Sequence, residues 1–260
     1  MIASPSPKNA VILAAGFGSR LRPLTDLRPK PLVEVGGTPI LFNALRHLEA
    51  VGVEDVTIVV GYRKDAIQYA CGRRFGKLDI NYVESSVYEA TGSAYSLWLA
   101  RHALLNGDTY LLEGDVFFEL GALQNLGALD AENAAAVAPF NQSMEGSAVV
   151  LDNDGFISEV RIKQTAANLD ADYPRLFKTM NLIRFSGGDL RQNLVPHLDN
   201  LIGHGAVKSY IEELLGQLVR NRSLRIAAAR CDELKWFDID NENDLRLAEA
   251  MFAQKREMAC

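Results

Sequence analysis

Residues 11–31 read VILAAGFGSRLRPLTDLRPKP. The apolar run Val11-Ile12-Leu13-Ala14-Ala15 stops at Gly16-Phe17-Gly18-Ser19-Arg20, and Lys30 follows between Pro29 and Pro31. A buried strand opening into a glycine-containing loop edged with cations suits a polyphosphate. Glycines without Cβ let backbone N–H groups approach phosphate oxygens. Arg20 and Lys30 add fixed positive charge. The pattern is not a dinucleotide-binding fingerprint, because the third glycine is missing and Pro23 stands where the helix would run. It is not a P-loop either, since no Gly-Lys-Ser/Thr follows.

Two carboxylate groups could complement that loop. Glu113-Gly114-Asp115 directly follows the apolar segment Tyr110-Leu111-Leu112. Ligands of open α/β sheets bind at the carboxyl ends of strands. Opposite a triphosphate, an aspartate there is placed to hold Mg²⁺, which takes oxygen ligands and bridges phosphates. The alternative is a turn or capping aspartate. Near the other end, Asp238-Ile239-Asp240 puts two carboxylates on one face of an extended segment. There the plainer reading makes Asp240 or Asn241 the N-cap of the last helix.

These residues need elements to carry them, and strand and helix patterns alternate. Strands are predicted at Ala10–Ala15, Asp55–Val60, Ile80–Val83 and Thr109–Leu112. Helices are predicted at Pro39–Val51, Lys64–Phe75 and Ser93–Leu105. That βαβαβαβ rhythm gives a mostly parallel sheet with helices on both faces. The second half reads as a meander: Ala134–Pro139, Ser147–Leu151, a turn at Asp152–Gly155, Phe156–Ile162 and Lys178–Phe185, interrupted by a polar loop at Gln164–Pro174. A helix over Tyr210–Arg220, a strand over Leu224–Ala228 and an amphipathic helix over Asn243–Lys255 close the chain. The fold class is therefore α/β, a Rossmann-like three-layer mixed sheet. Residues 1–8 read as a loose tail and 9–255 as one domain, with a nucleotide-binding half to about 130 and an acceptor-binding half beyond it.

The 260 residues carry 48% hydrophobic side chains and a net charge of −6. That balance argues against a nucleic-acid surface. Cys71, Cys231 and Cys260 have neither metal-site nor disulfide spacing, which fits a reducing compartment. No signal peptide or membrane-length apolar run is visible. The expectation is a cytoplasmic protein; the sequence leaves the oligomeric state open, with a homodimer as one admissible assembly. The four histidines show no pairing.

The series Gly16, Gly18, Arg20, Leu21, Pro23, Leu24, Thr25, Lys30 and Pro31 resembles the signature of nucleotidyltransferases that join an NTP to a phosphorylated acceptor and release pyrophosphate. The resemblance implies a nucleotidyltransferase (GT-A-like) fold. It implies nucleotide binding by Leu13, Ala14, Ala15, Gly16, Phe17, Gly18 and Ser19, with Arg20 on the β- and γ-phosphates. Lys30 would neutralise the α-phosphate or the acceptor phosphate. Thr91-Gly92-Ser93 looks like the base-recognition turn, and Glu113 joins the nucleotide site. Asp115 matches the family's metal aspartate, and Asp240 or Asp238 would supply the second Mg²⁺ ligand.

The segments Leu111–Glu119 and Lys178–Ser186 are similar to a CTP-dependent branch acting on phosphocholine and 2-aminoethylphosphonate. That similarity implies transfer of CMP from CTP to a small phosphate or phosphonate acceptor. The acceptor candidates are Lys163, Lys178, Asn181, Tyr173 and Trp236, with Phe140 as a further aromatic. The Glu-Lys-Pro of sugar-nucleotide enzymes is replaced here by Arg161-Ile162-Lys163-Gln164, which weakens the alternative of a sugar-1-phosphate or inositol-1-phosphate acceptor. Arg20, Lys30, Asp115 and Asp240 together argue against a non-catalytic regulatory protein on the same fold.

Overall fold

A computed structural model of the chain describes residues 6–169 and 175–253, so Tyr173 lies outside the described residues. The strand β1 (Asn9–Ala14) is flanked by β2 (Asp55–Val60) and, on its other side, by β4 (Thr109–Glu113), both parallel to it; β3 (Leu78–Glu84) adds beyond β2. These strands are near-continuous apolar runs because both of their faces are covered. Along β1, Ala10, Ile12 and Ala14 face one core and Val11 the other.

Helices α1 (Ile40–Ala50), α2 (Lys64–Cys71) and α5 (Gly121–Ala128) cover the first face. Helices α3 (Ser93–Leu99), α4 (Arg101–Leu104), α6 (Val195–Gly203) and α7 (Ile211–Arg220) cover the second.

The second half enters the same sheet in the opposite direction. Strand β9 (Leu176–Phe185) pairs antiparallel with β4, and β7 (Gly146–Leu151) and β8 (Ile157–Gln164) extend the sheet outward from it. Strand β6 (Ala134–Pro139) also pairs with β9, and β10 (Ala227–Arg230) runs parallel to β6. Among the described residues ten strands form this sheet, the tenth being the short Arg74–Phe75 segment beside β3. A separate two-stranded ribbon joins β5 (Val116–Phe118) to β11 (Trp236–Asp238), ahead of the closing helix α8 (Glu242–Ala253).

Three local features depart from the sequence reading. The helix expected to Phe75 stops at Cys71, because Gly72 takes φ 63° and Arg74–Phe75 turn back to pair with β3. The helix expected over Ser93–Leu105 divides at Ala100. Pro7 is buried and the Lys8 carbonyl accepts from the backbone N–H groups of Glu54 and Asp55, so the last two residues of the expected tail pack against the domain.

Candidate active site

The site lies where the strand order reverses, above the carboxyl ends of the parallel neighbours β1 and β4. Ligands of open α/β sheets bind at such a reversal. Two close approaches build it. After β4, the Gly114 N–H donates to the Leu13 carbonyl at 2.8 Å, and a Cβ on Gly114 would stand 2.9 Å from that same oxygen. Only glycine therefore lets the chain cross over β1 and present Asp115. After β1, Gly18 takes φ 67°, and a Cβ there would fall 2.8 Å from Cβ of Lys30. Gly18 thus makes room for the lysine, while nothing stands within 4 Å of a Cβ on Gly16, which faces the cavity.

A small core under the loop ties these pieces to the distant carboxylates. Leu21, Val33, Val35, Ile40, Phe117, Ile239 and Ala248 pack together, with Phe237, Leu245 and Phe252 beside them. The ribbon sets Asp238 opposite Val116, and the Ile239 N–H donates to the Asp115 carbonyl at 3.1 Å. Ile239 is fully buried, so Asp238 and Asp240 turn toward the cavity. The Asp244 carboxylate accepts from the N–H groups of both Asp240 and Asn241, and Asn241 in turn accepts from those of Asn243 and Asp244. The capping function thus belongs to Asn241, leaving the Asp240 side chain free for other contacts.

Those contacts form an alternating charge network. Lys30 Nζ lies 2.8 Å from Asp115 Oδ2 and 2.8 Å from Asp240 Oδ1. Arg20 reaches Asp240 at 2.9 Å, and Lys178 lies 3.5 Å from Asp238. Burial alone would lower the Lys30 pKa, but Asp115, Asp240 and Asp238 outweigh it and hold it above the ordinary lysine range. Burial likewise works against the Asp240 carboxylate, yet Lys30 and Arg20 prevail and hold its pKa low. At Asp238 burial, reinforced by Asp115, wins over Lys178 and pushes the carboxyl up to about 6. Glu113 is raised well above its usual range, first by burial, then by Glu212 and Asp115.

Ligand oxygens of Asp115, Asp238 and Asp240 all lie within 4.8 Å of one another. The other Asp115 oxygen, Oδ1, is buried without a hydrogen-bond partner. Three converging carboxylates with an orphaned oxygen fit a hard divalent cation, whose preferred donors are oxygens.

A cavity of about 570 Å³ opens over this network. Of the residues singled out in the sequence, Leu13, Ala15, Gly16, Arg20, Thr91, Gly92, Ser93, Glu113, Asp115, Lys163, Lys178, Asn181, Asp238 and Asp240 line it. Gly92 is packed tightly, since a Cβ would meet the Ser209 carbonyl at 2.2 Å. Asn181 sits at φ 54° where the pairing of β9 with β6 shifts register, and it donates to Glu113 at 3.1 Å. Lys163, at φ 53°, holds Nζ 5.8 Å from the Tyr210 ring centre.

Among the described residues, the other expected ones lie outside this lining. Trp236 belongs to the core under the sheet, because it occupies the inner end of β11, opposite Phe118 and away from the cavity. Phe140 is buried against Ala148 and Leu176. Ala14 points into the core, and Phe17 packs edge-on against Tyr62 at 4.3 Å and beneath the Arg22 guanidinium. Gly18, Ser19 and Lys30 do not themselves line the cavity, and Lys30 reaches it through its carboxylate partners.

The cavity also recruits Tyr88, Glu145, Ser147, Tyr210 and Glu212, which sequence reading missed. Glu212 and Glu213 look like ordinary first-turn acids that complement a helix dipole, so their spacing carries no separate signal.

Comparison with known proteins agrees with this geometry. The nucleotidyl transferase family matches residues 9–156. The chain belongs to that family. Within the family, it is 34% identical over 251 residues to the CMP-5'-(3-aminopropyl)phosphonate synthase of Streptomyces rubellomurinus, covering 96% of this chain and 40% of that protein. It is 37% identical over 108 residues to the 2-aminoethylphosphonate cytidylyltransferase of Lancefieldella rimae, covering 42% of this chain and 43% of that one. The matched stretches thus span 40% and 43% of the lengths of these relatives. The fold of this nucleotidyl transferase family member superposes on the CTP:phosphocholine cytidylyltransferase of Streptococcus pneumoniae with a TM-score of 0.76 at 20% identity, over 95% of this chain and 100% of that one. Among the described residues, no helix is long and apolar enough to cross a membrane.

Proposed function

We propose that this chain transfers CMP from CTP to a small phosphonate or phosphate acceptor, of the aminoalkylphosphonate or phosphocholine type, with release of pyrophosphate and dependence on Mg²⁺. The observation that carries the reading is the convergence of Arg20, Lys30 and Lys178 with Asp115, Asp238 and Asp240 on one cavity wall. Similarity to an aminopropylphosphonate synthase across both halves of the chain supports the choice of nucleotide and acceptor.

In this reading, an acceptor oxygen attacks the α-phosphorus of CTP and pyrophosphate departs in line. Such a step needs positioning and charge neutralisation rather than a protein nucleophile. The loop from Leu13 to Arg20 holds the triphosphate, with Arg20 on the leaving pyrophosphate. Thr91, Gly92 and Ser93 enclose the base. Lys30 offsets repulsion between the two anions, and Lys178 orients the acceptor from the floor. Bound to Asp115 and to Asp238 or Asp240, Mg²⁺ would polarise the α-phosphate.

Pyrophosphate release tests this with CTP, UTP, dTTP and GTP against 2-aminoethylphosphonate, phosphocholine, glucose-1-phosphate and inositol-1-phosphate, with and without Mg²⁺. CTP with an amine-bearing acceptor is expected to be fastest and to require the metal. A hexose phosphate with UTP or dTTP outrunning every CTP reaction would overturn the reading.

A further inference from the structure

The charge network at the cavity wall pairs three cations with three aspartates, but three more carboxylates line the same cavity with no ion pair among the described residues: the exposed Glu145 and the part-buried Glu113 and Glu212. Glu113 accepts one hydrogen bond, from Asn181 at 3.1 Å. Glu212 accepts one, at Oε1 from Ser147 Oγ at 3.0 Å, and its Oε2 is buried with no hydrogen-bond partner at all. A buried anionic oxygen left unmatched is costly, which makes it a site waiting for a donor.

Its surroundings define that donor. The single Thr179 hydroxyl proton is shared between the Ser147 carbonyl, at 3.2 Å, and Asn181 Oδ1, at 3.0 Å. One hydrogen-bonded chain therefore fixes Glu113 and Glu212 relative to each other. On the same strand, β7, a Cβ on Gly146 would stand 3.2 Å from Lys178 Nζ. The next residue, Ser147, anchors Glu212. Lys178 and Glu212 thus bring an ammonium and a carboxylate to the same cavity, suited to a short zwitterion with a phosphonate at one end and a cation at the other.

The kind of cation also follows. A quaternary ammonium has no N–H and is held by aromatic faces. Among the described residues, Tyr88 and Tyr210 are the rings in the lining, and Tyr210 already carries Lys163. An unpaired carboxylate oxygen instead suits an N–H donor.

We infer that Glu212 Oε2, with Glu113 behind it, receives the primary ammonium of an ω-aminoalkylphosphonate and so determines which acceptor is used. The inference rests on the cytidylyl-transfer reading above.

The test uses the full chain with CTP and Mg²⁺ and three acceptors: 2-aminoethylphosphonate, its N,N,N-trimethyl analogue and ethylphosphonate. Wild type is expected to favour the primary amine over both others by about tenfold or more in kcat/KM. Glu212→Gln, which can still accept from Ser147, is expected to lose about ten- to a hundredfold on the primary amine, mainly in KM, as for loss of a hydrogen bond to a charged group. Its activity on ethylphosphonate should change by less than about twofold. Glu212→Asp keeps the charge but withdraws it, and should lose part of the preference; it supplies the same ratio should Glu212→Gln fold poorly. Equal losses on all three acceptors, or a preference that survives both substitutions, would overturn the role of Glu212 alone. Absence of turnover of CTP with any phosphonate by wild type would overturn the cytidylyl-transfer reading and this inference with it.

Discussion

Lys30 and Asp240 are separated by 210 positions in the chain, yet Nζ and Oδ1 meet at 2.8 Å. The same ammonium bonds Asp115, so one buried lysine joins the loop after β1, the crossing after β4 and the segment before α8. A lysine that bridges two carboxylates holds them at a spacing they could not keep alone, because like charges repel strongly away from water.

Replacing it should therefore cost both stability and turnover. Lys30→Met leaves Asp115 and Asp240 without their shared cation, and removing one partner of a buried pair costs about 3–5 kcal/mol. Denaturant unfolding in chelator should show a loss of that order. Added Mg²⁺ should then raise the melting temperature of the variant more than that of wild type, since the freed carboxylates gain most from a cation. Equal metal-induced shifts in the two proteins would contradict this.

Asp115→Asn separates the metal from the fold. The amide keeps the size of the side chain and one oxygen beside Lys30, while removing a charge and the donor at the orphaned Oδ1. Loss of charge stabilisation in a transferring phosphoryl group costs about 100-fold or more in kcat. The melting temperature without metal should fall less than in Lys30→Met, because Lys30 keeps Asp240 as a partner, and calorimetric titration should show weakened Mg²⁺ binding. Retained metal affinity and turnover would remove Asp115 from the metal site.

The fold and part of the site are legible in the sequence for a physical reason. Doubly covered strands such as Val11–Ala15 and Asp55–Val60 are continuous apolar runs, and the turns after them must carry the polar residues that face the cavity. The alternation at Asp238-Ile239-Asp240 likewise encodes one buried and two cavity-facing side chains. What brings them to Asp115 is not local. The β5–β11 ribbon pairs three-residue strands more than a hundred positions apart, and neither segment is long enough to announce itself. Trp236 reads as a candidate aromatic wall because sequence shows its type and not the depth at which β11 places it. Glu212 is hidden for the converse reason, as its helical context accounts for it fully until the cavity is seen.

Gly18 and Gly16 should respond differently to the same change. At Gly18 an added methyl meets Lys30 Cβ at 2.8 Å and the backbone is left-handed, so Gly18→Ala should lose about 1–3 kcal/mol. It should also lower kcat by displacing Lys30. At Gly16 the methyl enters open cavity space, so Gly16→Ala should leave the melting temperature within about 2 °C while raising KM for CTP. Thermal melts and steady-state kinetics on the two variants decide it. Equal melting losses would mean that the loop, rather than the packing of Lys30, sets the requirement for glycine.

The ribbon that delivers Asp238 hangs on Asn43. From α1, its amide donates to the Phe118 carbonyl at 3.1 Å and accepts from the Phe118 N–H at 3.2 Å, while His47 Nε2 lies 3.0 Å from that same carbonyl. Asn43→Ala leaves the buried Phe118 N–H unmatched and its carbonyl with His47 alone, and should cost about 1–3 kcal/mol. His47 adds a pH dependence. Burial lowers its pKa, outweighing the Phe118 carbonyl, so the folded state favours the neutral ring. The unfolded chain binds the proton more readily, so the contribution of His47 is present above the ordinary histidine pKa and is lost as pH falls below about 6.5. His47→Gln can still donate to Phe118 without titrating. The stability difference between wild type and His47→Gln should therefore narrow or reverse against wild type between pH 7 and pH 5, by denaturant unfolding in chelator. Asp238 pulls the other way in that range, since its raised pKa makes protonation favour the fold, but it is common to both proteins and cancels in the difference. A difference that stays flat with pH would show that His47 titrates alike in the folded and unfolded chain.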